Sequence, residues 1–231
     1  MGLLDLIFPK YCVNCRKSGS YICTNCFSFI SFDVLMICLF CNRPTIDGLT
    51  HPRCQGKYII DGAFSALVYK GIVKKLVYNF KYKPYLSDLK SSLVELFYEA
   101  IIQNEMFIRT IEQCNNETIV LVPIPLHKSR LRNRGYNHAK ILALGLCEKL
   151  DLQMTEILER TRATKSQFGL NLKQRKENIS GSFVIRPNMP IPKCVFLVDD
   201  ILTTGSTLLE ATRILKKQGA RKVWGLTLAR D

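Results

Sequence analysis

The stretch Val195-Phe-Leu-Val-Asp199-Asp200-Ile-Leu-Thr203-Thr204-Gly205-Ser206-Thr207 restricts the fold more than any other part of the chain. Its four consecutive apolar residues, rich in Val and Phe, predict a strand buried on both faces, as in a parallel sheet. Two carboxylates follow at the carboxyl end of that strand, where open α/β sheets place their ligands. The hydroxyl run Thr203–Thr207 then leads into a helical pattern. Such a loop turns backbone N–H groups and hydroxyls toward a phosphate, and the helix N-terminus behind it adds a favourable dipole. Gly205 permits a left-handed backbone or a close approach of the ligand. Asp199 and Asp200 cannot face a phosphate directly. They suit the hydroxyls of a ribose, or a Mg²⁺ held between diol and diphosphate. A plain strand and a Ser/Thr-capped helix would share the hydroxyls, but would leave the carboxylate pair and the glycine unexplained.

A second buried strand, Thr118–Pro125, also ends in an unusual loop, Leu126–Ala139. Lys128, Arg130, Arg132 and Arg134 lie so close together there that they would repel one another without an anionic partner. The planar fork of arginine bonds phosphate oxygens in pairs, and Gly135 allows a tight approach before a helix predicted over 137–150. This is the expected pyrophosphate side of the site, opposite Thr203–Thr207. His127 and His138 read as polar loop residues.

Seven of the 10 cysteines precede residue 55. Cys12/Cys15, Cys23/Cys26 and Cys38/Cys41 share one spacing, and His51/Cys54 repeats it with His in first place. Two ligands separated by two residues grip one Zn²⁺ through a tight turn, so these pairs supply two tetrahedral, structural sites. The pairing, sequential or cross-braced, stays open, and His51 is the least secure ligand. Clustered pairs of this kind belong to a reducing compartment. With neither a secretory signal at the start nor an apolar run of spanning length, the expected location is cytoplasmic.

Elsewhere the chain alternates strands and helices. A strand is expected over 61–69, helices over 72–83 and 86–103, a strand over 182–185, a helix over 208–218 and a last strand over 223–228. The segment 160–178 is polar and basic with little periodicity, as suits a flap over a charged site or an ordinary surface loop and helix. Lys+Arg 33 against Asp+Glu 19 gives a net charge of +14, more cation than a phosphate pocket needs. The excess points to a polyanion. Lys74, Lys75, Lys81 and Lys83, interleaved with Tyr69, Tyr78, Phe80, Tyr82 and Tyr85, suit single-stranded nucleic acid, and equally the solvated basic face of an amphipathic helix. Lys128, Arg130, Arg132, Arg134, Arg162 and Lys165 are the further candidates for that surface.

Val195–Thr207 resembles the phosphoribosyl-diphosphate (PRPP) signature of type I phosphoribosyltransferases. Together with the cysteine array and Val122–Ala139, it makes nearly the whole chain similar to the ComF family of competence-associated proteins. Arg162, Thr164, Gln167, Leu170, Arg175 and Asn178 also look like that family's intervening region. His51 stands where a cysteine is usual, and His138 where Gln is common. The resemblance implies an α/β fold: a type I phosphoribosyltransferase-like parallel sheet flanked by helices (58–231) behind a small double zinc-ribbon domain (1–57). It implies handling of incoming single-stranded DNA in the cytoplasm during natural transformation, with other competence or DNA-processing proteins as partners. PRPP with Mg²⁺ would be held by Asp199 and Asp200, the catalytic candidates, with Thr203, Thr204, Gly205, Ser206, Thr207, Arg130, Arg132, Arg134 and Gly135. An active transferase of unknown acceptor and a zinc-dependent adaptor with a vestigial PRPP site are the alternatives. Glutamine-dependent amidotransfer is not expected, because the sequence starts Met1-Gly2 without a cysteine nucleophile or a glutaminase domain.

Overall fold

The computed structural model describes residues 10–82, 87–114, 117–163 and 172–231. A ribbon of turns holds one short helix, α1 (Thr24–Phe27), and two 3₁₀ turns, Ile46–Gly48 and Pro52–Cys54. Strand β1 (Gly62–Val68) then begins the main body, followed by α2 (Gly71–Tyr82), α3 (Ser87–Ile102), α4 (Glu105–Gln113) and β2 (Ile119–Pro123). Next come α5 (Lys128–Arg134), α6 (His138–Leu150), β3 (Gln153–Met154), β4 (Leu158–Arg160), α7 (Leu172–Ile179) and β5 (Phe183–Ile185). The chain closes with β6 (Cys194–Leu202), α8 (Ser206–Lys217) and β7 (Lys222–Arg230).

Five strands form one parallel sheet in the order β1-β7-β6-β2-β3, and β4 pairs antiparallel with β5 beside it. The central position of β6 follows from its sequence, since Val195 to Val198 are all fully buried. Alternate side chains enter two apolar layers. Phe196 and Val198 join Leu93, Phe97 and Leu142 of α3 and α6 on one face. Val195 and Leu197 join Leu208, Ala211 and Leu215 of α8 on the other. A flanked parallel sheet is therefore what the buried strands produced.

The elements differ from expectation where local chemistry outweighed pattern. Strand β6 runs through Leu202, so Asp199 and Asp200 lie within it rather than after it. The hydroxyl run enters α8, which begins at Ser206 instead of Leu208. Residues 128–134 form a helix where a loop was expected: His127 caps it through Nδ1, accepting from the Ser129 N–H at 3.2 Å, and Gly135 ends it in the left-handed region (φ 80°). Helix α4, unforeseen, is capped by Asn104, whose Oδ1 accepts from the Phe107 N–H at 2.9 Å. Lys83, Thr164, Lys165, Gln167 and Leu170 fall outside the described residues, with the centre of the expected flap. Of the segment expected to form a flap, Arg160 belongs to β4, and residues 172–179 form α7. No helix among the described residues is long and apolar enough to cross a membrane.

Candidate functional site: an anion cleft beside a double zinc ribbon

The carboxyl ends of β6 and β2 open into one cleft of about 460 Å³. Asp199, Asp200, Thr203, Gly205, Ser206 and Thr207 line it together with Arg130 and Arg134. The two loops singled out from the sequence thus share one cavity. Thr204, Arg132 and Gly135 are not among its lining residues; the turn of α5 that carries Arg130 and Arg134 inward carries the exposed Arg132 outward. Gly205 heads α8 with φ 70°, and the Thr204 and Ser206 hydroxyls bond each other at 2.9 Å. The N–H groups of Thr203, Thr204 and Gly205 donate to no backbone carbonyl among the described residues.

The carboxylates are not equivalent. The Asp200 N–H donates to Asp199 Oδ1 at 2.9 Å, and Lys81 Nζ of α2 lies 2.8 Å from Asp200 Oδ2. Burial alone would raise the Asp200 carboxyl, but Lys81, His138 and Arg134 outweigh it and hold it below the usual carboxylate range. Burial and the neighbouring Asp200 charge push Asp199 up to about 7. One carboxylate is therefore firmly ionised while its neighbour is poised near neutrality. Burial pushes His138 down to about 4, so it stands neutral in the cleft wall with Nε2 unpartnered among the described residues.

Further cleft residues come from pairings distant in sequence. Arg160 is 5% exposed, and burial first, then neighbouring Arg130, lowers its guanidinium to about 10. It lines the cleft from the end of β4, where it pairs with Phe183 of β5, a placement no local pattern announces. Tyr69, Lys74, Tyr82, Asn137 and Arg175 also line the cleft, as does Asp231, 3.7 Å from Lys74 Nζ. The Arg134 guanidinium lies 5.1 Å from the Tyr82 ring, and Lys74 Nζ lies 5.2 Å from that of Tyr69. The remaining nucleic-acid candidates are dispersed. Lys75 donates to Asn14 Oδ1 of the ribbon at 2.9 Å, and Lys128 pairs with Glu159 at 3.3 Å. Arg162 donates to the carbonyls of Asn178 and Ser180 behind α7.

The ribbon gathers its ligands sequentially: Cys12, Cys15, Cys23 and Cys26 form one quartet, and Cys38, Cys41, His51 and Cys54 the other. The donor atoms of each quartet lie within 4.8 Å of one another, and Cys41 Sγ is 3.3 Å from His51 Nδ1. Tetrahedral Zn–S bonds of about 2.3 Å need sulfur atoms about 3.8 Å apart, so both quartets fit Zn²⁺ with every position filled by protein. Burial would raise the Cys12 thiol, but the backbone N–H groups of Cys15, Cys23 and Asn14 bring it down to about 6, whereas the Asn14 amide fails to offset burial and the neighbouring cysteines at Cys26, which is pushed up to about 11. The His51 ring is oriented by the Pro44 carbonyl, 3.1 Å from Nε2.

Comparison with known proteins agrees with this architecture. The phosphoribosyl transferase domain family matches residues 98–231, and the double zinc ribbon domain matches residues 3–55. The chain belongs to the phosphoribosyl transferase domain family, in the ComF-type arrangement that joins this domain to an N-terminal double zinc ribbon. It is 39% identical over 115 residues to Competence protein F of Haemophilus influenzae, covering 47% of this chain and 50% of that one. DNA utilization protein YhgH of Escherichia coli is 36% identical over 110 residues (46% and 48%). Competence protein ComFC of Streptococcus pneumoniae is 33% identical over 111 residues (47% of each). The matched segment spans about half the length of these curated relatives.

Proposed function

We propose that this chain binds Mg²⁺-PRPP in the cleft and handles single-stranded DNA in the cytoplasm during natural transformation, on a zinc-ribbon domain (1–57) and a phosphoribosyltransferase-like domain (58–231). The observation that carries this reading is the sharing of one cleft by the Asp199/Asp200 pair, the Thr203–Thr207 loop and the Arg130/Arg134 face of α5. The loop takes the 5′-phosphate, the carboxylates take the ribose hydroxyls, and the guanidiniums face the diphosphate. Mg²⁺, held with PRPP at the carboxylates, would supply charge neutralisation of the diphosphate. Lys81 yields Asp200 to the incoming diol. Tyr82 and Tyr69 on the rim, each beside a cation, offer stacking platforms to bases, while Arg134 and Lys74 neutralise the backbone. The names of the relatives, a competence protein and a DNA utilization protein among them, support the DNA side of the reading.

An oligothymidylate anisotropy titration with and without Mg²⁺-PRPP tests both halves. Binding that weakens steeply with salt and competes with PRPP is the expected result. Negligible affinity at low salt would remove the DNA role. A second reading, turnover by phosphoribosyl transfer, is favoured by the desolvated pair Arg130 and Arg160, which would stabilise a departing diphosphate. Pyrophosphate release on incubation with candidate acceptors tests it.

A further inference from the structure

Leu39 lies inside the second quartet, between its ligands Cys38 and Cys41, yet it reaches the phosphate loop. A Cβ built on Gly205 would stand 3.0 and 3.1 Å from the two methyl carbons of Leu39 and 3.3 Å from its Cβ. Leu39 is 2% exposed and shares an apolar cluster with Leu202 and Leu208, which flank the loop on either side. The knuckle that presents it is tightly wound: the Cys38 N–H donates to the Arg43 carbonyl at 3.0 Å, and the Cys38 carbonyl accepts from the Asn42 N–H at 2.8 Å. The first quartet faces elsewhere. Its Cys12 and Cys26 belong to the opposite apolar layer, and its Asn14 contacts Lys75 of α2.

We propose that the second metal site is the buttress of the phosphate loop, with Leu39 as the positioning residue. Metal held by Cys38, Cys41, His51 and Cys54 fixes the knuckle, the knuckle seats Leu39, and Leu39 closes the space behind the left-handed Gly205. Occupancy of the second site and affinity for a phosphorylated ribose are then linked and, by reciprocity, each strengthens the other. The first site is outside this linkage. The inference rests on Thr203–Thr207 being a phosphate loop, and its test separates the two ideas.

The zinc-loaded full chain is compared with Leu39→Ala, and with Leu39→Met, which keeps the volume. Three quantities are measured: zinc content, Mg²⁺-PRPP affinity by calorimetry, and amide hydrogen exchange at 205–207 against that of β6. Leu39→Ala is expected to weaken PRPP binding about tenfold. It should also speed exchange at 205–207 while leaving β6 protection and two zinc ions per chain intact, with Leu39→Met restoring both readouts. Mg²⁺-PRPP should slow transfer of one zinc ion, not both, to a zinc-selective chelator. Unchanged loop exchange in a zinc-loaded Leu39→Ala protein would overturn the buttress whatever PRPP does. If the wild type fails to bind PRPP, the phosphate-loop reading falls, and loop exchange alone still decides the buttress. Should Leu39→Ala lose its fold, Leu39→Met with wild-type affinity and exchange upholds the proposal, and weakened binding with unchanged exchange overturns it.

Discussion

The floor and the rim of the cleft are built by different physics. The floor, Asp199 to Thr207, is the carboxyl end of the central strand of the sheet and the turn that follows it, so its geometry is inherited from a strand paired on both edges and packed on both faces. The rim is carried by the short, largely exposed α5 and by the end of α2, and is held by caps, cation–π contacts and a few ion pairs. A site assembled this way has a fixed place for the small, chemically exacting part of a ligand and an adaptable edge for a long one. That division suits a phosphorylated ribose below and a polynucleotide above.

The contrast is sharpest in stability. Truncating Leu197, fully buried behind the floor, is expected to cost about 2–5 kcal/mol in urea unfolding, whereas Arg134→Ala should stay within about 0.5 kcal/mol. Equal losses would break the distinction. Binding should show the reverse. Arg130→Ala and Arg134→Ala are each expected to weaken Mg²⁺-PRPP by about 1.5–3 kcal/mol, as lost charge-assisted hydrogen bonds do. Arg132→Ala should cost under about 0.5 kcal/mol, the value typical of an exposed surface change. Calorimetry distinguishes these variants. On the rim, Tyr82→Ala should weaken oligothymidylate binding by about 1–3 kcal/mol, measured by anisotropy, and, since its ring and hydroxyl only hold Arg134 in place, weaken PRPP less than Arg134→Ala does.

A pH effect on binding is expected as well. Burial and Asp200 raise Asp199 from 3.8 to about 7, so its contribution to stability is full below pH 3.8 and is lost as pH rises through about 7. Ligand binding runs the other way, because a ribose–metal site needs the carboxylate. Affinity for Mg²⁺-PRPP should therefore rise about tenfold between pH 6 and pH 8, following ionisation of that one group. In Asp199→Asn, a mimic of the protonated form, the residual affinity should lack this component. An identical pH profile in both proteins would show that Asp199 does not bind in its ionised form.

The sequence made the floor legible because strand, carboxylates, glycine and hydroxyls are contiguous, and their chemistry is local. The quartets were legible for the same reason: each knuckle is one turn of chain. The rim was only half legible. Helix α5 carried its signals in plain view, a capping His127 and a terminating Gly135, but the density of positive charge suggested a loop. Lys81 was read as part of a nucleic-acid surface, and the fold sets it on Asp200, 119 positions away. Arg160 reaches the cleft only through the pairing of β4 with β5, and Leu39 meets Gly205 only because the ribbon folds back over α8. Each of these depends on tertiary pairing, which no periodicity encodes.

The most direct test is calorimetry of Mg²⁺-PRPP with the wild type and with Asp199→Asn/Asp200→Asn, both verified as folded and zinc-loaded. A saturable heat in the wild type and none in the variant at the same concentrations is the predicted result. The same heat in both, or none in the wild type, would contradict an anion cradle built on those carboxylates.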